Sequence, residues 1–166
     1  MNSPQDIPAP MKVLFIEDDV DTIVKISVIF KLYLPYKQLY FSILGEDGIR
    51  ELRRRAYDLL LLSLSLPDVD GLELLRRIRQ FSDIPIIAIS DTLQHDEREK
   101  AICSGASYYL NRPIHYSELL VLIRTALNKR QPAAGSLTKK SLFDKHNPLY
   151  HELKLPRAKL ICMRLN

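Results

Sequence analysis

Residues 58–62 read Asp-Leu-Leu-Leu-Leu. A strand that alternates apolar and polar residues can leave one face in water, but four successive leucines cannot. Successive strand side chains point to opposite faces, so this run has to be covered on both sides. A central strand in a parallel sheet, with helices on both faces, meets that demand. Pro85-Ile-Ile-Ala-Ile89 is a second run of the same kind.

The segments around these runs carry helical and strand periods in turn. Lys12-Val-Leu-Phe-Ile16 predicts a strand that ends in the acidic cluster Glu17-Asp18-Asp19. Residues 21–34 fit either element: Ile23, Ile26, Phe30 and Leu34 have helical spacing, while the β-branched content suits a strand. Pro35 ends the segment in both cases. Gln38 to Ile43 reads as a strand, and Gly48 to Ala56 as a helix with Ile49, Leu52 and Ala56 inward. Asp70 is placed to cap a helix through Gln80 with Leu72, Leu75 and Ile78 inward. Asp96 to Ser104 predicts a short charged helix closed by Gly105. Ser107 to Leu110 predicts a last strand. Glu118 to Asn128 predicts a helix that buries Leu119, Leu120, Ile123, Ala126 and Leu127. Five βα units imply an α/β doubly wound parallel sheet, whose functional groups gather at the carboxyl ends of the strands.

The chain divides into a flexible, proline-containing arm at 1–10, a domain at 11–130 and a basic linker or tail at 131–166. The overall charge of +4 hides that division. Residues 1–128 carry 15 basic and 18 acidic residues, whereas 129–166 carry 9 and 2. We read the tail first as a solvated linker, with nucleic acid as a partner only through its basic residues. No apolar run approaches the ~20 residues of a membrane span. No signal peptide is visible at the N-terminus, so a cytoplasmic location without membrane contact is expected. Cys103 and Cys162 show no metal or redox spacing and are read as reduced thiols.

The stretch from Met11 to Arg130 resembles the receiver domain of two-component response regulators. The resemblance rests on VLFIEDD after the first strand, YDLLLLSLSLPDVDGLELLRRIR in the middle, PIIAIS at the fourth strand and GASYYLNRPI before the last helix. It implies a flavodoxin-like (βα)5 fold with sheet order 2-1-3-4-5. It also implies an acidic pocket that helps to hold magnesium, matched here by Glu17 and Asp18. The family's phosphate-accepting aspartate stands four residues before the proline of the Leu-Pro step; with Pro67 as that proline, the position is Ser63. The switch positions fall on Ser90 and Tyr109. The family's lysine is replaced by Arg112, just before Pro113.

Two members of the phosphorylation site are therefore changed. A carboxylate is already anionic at neutral pH, whereas a serine hydroxyl attacks only when a base takes its proton. No histidine lies near Ser63 in the sequence, and we read the serine as a lost acceptor, not as a phosphoserine site. Magnesium also loses a carboxylate ligand, so weak or absent metal binding at Glu17 and Asp18 is expected, with no other cofactor. Arg112 presents a planar fork suited to Glu17 or Asp18. Tyr108 and Tyr109, being adjacent in a strand, should face opposite sides.

These residues describe an atypical receiver, a pseudo-receiver that is not an enzyme and that signals through phosphorylation-independent contact. The family resemblance points to a histidine kinase, another regulator or a second copy as partner, with a homodimer among the expected assemblies. The expected surface is the fourth helix, fifth strand and fifth helix, carrying Glu97, Arg98, Lys100, Tyr108 and Arg124. The alternative is a truncated DNA-binding transcriptional regulator with a basic tail.

Overall fold

The computed structural model of the protein describes residues 11–92 and 95–128. The expected arm at 1–10 and basic tail at 131–166 lie outside the described residues, as does Cys162.

Five strands form one parallel sheet: β1 (Met11–Ile16), β2 (Lys37–Ser42), β3 (Leu59–Ser63), β4 (Ile86–Ser90) and β5 (Tyr108–Asn111). Their order is β2-β1-β3-β4-β5, the flavodoxin-like order. Helices α1 (Val20–Tyr33), α2 (Gly45–Arg54), α3 (Gly71–Arg79), α4 (His95–Cys103) and α5 (Tyr116–Asn128) alternate with the strands. The leucine run lies in the central strand, and its residues divide between two cores. Leu60 and Leu62 pack with Leu14, Ile16, Ile49, Leu74 and Ile78 under α2, α3 and α4. Leu59 and Leu61 pack with Val13, Phe15, Ile26 and Ile123 under α1 and α5. All four leucines are fully buried, and each such burial contributes on the order of 2 kcal/mol.

Residues 20–33 are a helix. Asp19 is its N-cap, with a carboxylate oxygen accepting the Thr22 backbone N–H at 3.1 Å. All five α5 positions expected to face inward are buried. Tyr108 and Tyr109 face opposite cores. Gly105 closes α4 with φ +111, in the left-handed region that favours glycine.

Two local expectations are corrected. Helix α2 ends at Arg54 rather than Ala56, leaving Ala56 exposed; Tyr57 instead is buried in the core. In α3, Leu74 is fully buried beside Leu75 and Ile78, while Leu72 is only partly buried. That rotation is set at Gly71, where a Cβ would stand 2.3 Å from the Leu64 Cα, so the helix starts against bare backbone. Asp68, in the loop between β3 and α3, caps another helix. Its two carboxylate oxygens accept the Gly45 and Glu46 backbone N–H groups at 2.9 and 3.0 Å. Leu44, at the N-cap of α2, makes no side-chain cap bond, so the acceptor comes from across the chain.

Candidate functional site

Sheet hydrogen bonds continue past the strand ends and place the site. The Glu17 backbone N–H donates to the Ser42 carbonyl at 2.9 Å, that of Leu64 to Ile89 at 2.8 Å, and that of Arg112 to Ser90 at 2.9 Å. Glu17, Ser63, Ser90 and Arg112 are thereby held along one carboxyl edge.

On the β1 side, Glu17 is buried and its carboxylate is engaged at both oxygens. One accepts the Asp19 backbone N–H at 3.2 Å, and the other pairs with the Arg112 guanidinium. Arg112 also donates to the Thr22 hydroxyl at 2.9 Å and pairs with Asp91 at 3.1 Å. Thr22 in turn donates to Asp19, and this hydrogen bond holds the Asp19 carboxyl below its ordinary range. Burial pushes the Glu17 carboxyl above its ordinary value, outweighing the Asp19 backbone hydrogen bond and the Arg112 charge, which act the other way. Asp18 is exposed and stands outside this network. Arg112 therefore meets Glu17 and not Asp18. Thr22 and Asp91 belong to the network without having been singled out in the sequence. Each lies next to, or one helical turn from, a residue that was, and the spacing of Asp19 and Thr22 was the available signal.

On the β4 side, the Ser90 hydroxyl donates to the Glu97 carboxylate. The Tyr109 hydroxyl donates to the same carboxylate oxygen at 3.0 Å and to the Thr92 carbonyl at 3.1 Å. Asn111 adds a bond to the Thr92 carbonyl at 2.9 Å, and the Thr92 backbone N–H donates to Ser90 at 3.1 Å. Tyr109 is buried, which raises its hydroxyl above the ordinary tyrosine value; Glu97 adds to that rise. Glu97 was expected on the outer contact surface, and this is corrected: its carboxylate turns inward. Buried hydroxyls need acceptors, and the first turns of α4 place Glu97 over two of them.

Ser63 lies between these two networks and is fully buried. Its hydroxyl donates to the Ser65 carbonyl at 3.3 Å, a long bond. Among the described residues, no set of three or more His, Cys, Asp or Glu side chains is grouped to hold a metal ion.

The family model for the response regulator receiver domain matches residues 13–124. The chain belongs to that family. The receiver domain is 33% identical over 130 residues to the cell cycle transcriptional regulator CtrA of Caulobacter vibrioides, covering 78% of this chain and 55% of the relative. It is 38% identical over 84 residues to the KDP operon transcriptional regulatory protein KdpE of Escherichia coli, covering 51% of this chain and 37% of that one. The chain thus spans about half the length of CtrA and less of KdpE. Among solved structures, a two-component response regulator from Clostridium difficile matches with a TM-score of 0.69 at 24% identity, covering 73% of this chain and 98% of its own. The receiver domain of the Francisella response regulator 1452 matches with a TM-score of 0.68 at 22% identity, covering 72% and 98%. This is a receiver domain of two-component signalling, a family whose members interact with kinases and regulators. No described helix is long and apolar enough to cross a membrane.

Proposed function

We propose that this receiver domain signals by protein contact without taking phosphate on an aspartate, and that it is a binding module and not an enzyme. The observation that carries the reading is the pairing of Glu17 with Arg112 beside a buried serine at the end of β3. Ser63 stands where the family resemblance puts the acceptor, and its hydroxyl is given to a carbonyl, which cannot take a proton as a base. The donor set also fits magnesium poorly. Both Glu17 oxygens are engaged, an arginine charge occupies the pocket, and the third carboxylate is a hydroxyl. Glu17 and Asp18 would hold the ion only weakly. Ser90 and Tyr109 already share the Glu97 carboxylate, so the positions that would answer to a phosphoryl group are tied to the protein itself.

The contact surface we assign is the α4–β5–α5 face. With Glu97 turned inward, Lys100 and Arg124 remain exposed there beside the partly buried Arg98 and Tyr108. A cytoplasmic kinase, regulator or second copy is the kind of partner this face suits. The test is incubation with acetyl phosphate and magnesium of the wild type, Ser63→Asp, Arg112→Lys and the double variant, read by intact mass and magnesium affinity. The wild type should gain nothing. Each single variant should gain little, because Arg112 can pair with a new carboxylate as it does with Glu17. The double variant should bind magnesium and take up phosphate. A phosphoryl adduct mapped to Ser63 of the wild type would defeat the reading.

A DNA-binding regulator is the second reading. It is favoured by the likeness to CtrA and KdpE, which are transcriptional regulators, and by the basic residues 131–166. Salt-dependent DNA binding that disappears when 131–166 are deleted would select it.

A further inference from the structure

Helix α1 has two apolar faces. Thr22, Ile23, Ile26 and Phe30 are buried against the sheet. On the outside, Val20, Val24, Val28 and Leu32 are exposed by 64, 55, 50 and 66%. Their constant spacing of four residues makes them one continuous ridge along the helix. The outer positions of α2 and α3 contrast with it, with exposed Arg53 and Arg54 on α2 and Arg76 on α3, while α5 exposes only the separate Tyr116 and Val121 among its large apolar residues. Leaving a helix's full outer ridge apolar is costly in water unless another surface covers it.

We propose that this ridge is the interface of a homodimer, α1 packed antiparallel against α1 of a second copy. A two-fold interface has to be complementary to itself, each patch meeting its own counterpart. The ridge meets that condition. It is symmetric about Ile26, with Val24 and Val28 equidistant from it and Val20 and Leu32 equidistant further out. Antiparallel packing brings the Val20 end of one helix to the Leu32 end of the other. The charges complement one another in this direction only: the Val20 end carries Asp18 and Asp21, and the Leu32 end carries Lys31. A parallel pair would set like against like. The helix dipoles also favour the antiparallel direction. Ridges of four-residue spacing from two helices interdigitate in the commonest class of helix packing. Lys25 lies one position around the helix from the ridge, where its ammonium can stay in water while its stem covers apolar surface. The proposal does not depend on the phosphorylation state or on Ser63, and its surface is distinct from the α4–β5–α5 face.

Sedimentation equilibrium of the full chain over a wide concentration range tests it. The wild type should show a reversible monomer–dimer equilibrium. Val24→Glu should weaken association at least about tenfold, roughly 1.4 kcal/mol, with an unchanged circular dichroism spectrum and, at concentrations where both proteins are monomeric, an unchanged urea midpoint, because the position faces solvent in one copy. Asp21→Lys and Lys31→Asp should each weaken association several-fold, and the double reversal should recover most of the loss. A wild type that stays monomeric throughout overturns the proposal. So does a dimer that survives both Val24→Glu and Leu32→Glu in a folded chain. A dimer weakened by Val24→Glu but strengthened by either single charge reversal overturns the antiparallel direction.

Discussion

The two sides of the carboxyl edge solve the same problem with different chemistry. On the β1 side a buried carboxylate, Glu17, is neutralised by the arginine Arg112. On the β4 side a carboxylate, Glu97, is satisfied by two hydroxyls, those of Ser90 and Tyr109. The first is an ion pair whose loss leaves a charge in a place that water does not reach. The second is a set of hydrogen bonds whose loss leaves polar groups with second partners, since Tyr109 also donates to Thr92. Ser63, between them, belongs to neither. The contrast shows how a buried serine can stand at this edge without a charged partner: the groups around it have found acceptors and counter-charges within the protein.

The largest effect should come from breaking the ion pair. Removing one partner of a buried pair costs about 3–5 kcal/mol. Arg112 keeps about one-fifth of its side chain exposed, so Arg112→Ala should sit at the lower end, about 3 kcal/mol, in urea denaturation. The pH dependence sharpens the point. Burial raises Glu17 above its ordinary 4.5, so the folded chain holds this proton more tightly than the unfolded chain. The contribution of Glu17 is therefore fullest below 4.5 and is lost as pH rises through the raised value. Glu17→Gln should flatten that limb, and Arg112→Ala should extend it to higher pH by removing a charge that opposes the rise. An identical slope in the wild type and Glu17→Gln would show that Glu17 is not carrying it.

An intermediate effect is expected at Glu97. Glu97→Ala removes the shared acceptor of Ser90 and Tyr109 and should cost about 1–2 kcal/mol. Glu97→Gln should cost less, since an amide oxygen still accepts. Equal losses for the two variants would mean that the negative charge matters and would bring the β4 side closer to the β1 side. The smallest effect should be at Ser63→Ala. Its bond is long and ends on a carbonyl, so the loss should be at most about 0.5 kcal/mol, below an ordinary hydrogen bond. A loss as large as that of Glu97→Ala would place Ser63 inside one of the networks after all.

Helix α1 shows why its segment fitted two elements in the sequence. Periodicity reveals a helix by contrast between a wet face and a dry one. Val20, Val24, Val28 and Leu32 put apolar residues on the outer face as well, which erased that contrast. The α5 positions, with Glu118 and Arg124 among Leu119, Leu120, Ile123, Ala126 and Leu127, kept it and were readable residue by residue.

The sequence by itself determined the layered parallel sheet, because four leucines in a row admit no exposed face and the strands alternate with helices, while the strand order was implied by the family resemblance. It also determined which residues stand at the carboxyl edge, since strand ends follow from the apolar runs. Only the tertiary structure decided whom those residues meet. Arg112 could have taken Asp18 and takes Glu17, because the strand register brings Glu17 to the buried side of the edge while Asp18 stays in water. Glu97 turns inward to Ser90 and Tyr109, and Asp68 caps a helix 23 residues away, on its Gly45 N–H. The reason is geometric. A period along one segment records which face of that segment is dry, but contacts between segments depend on helix rotation and strand register, which are fixed only when all the layers pack together.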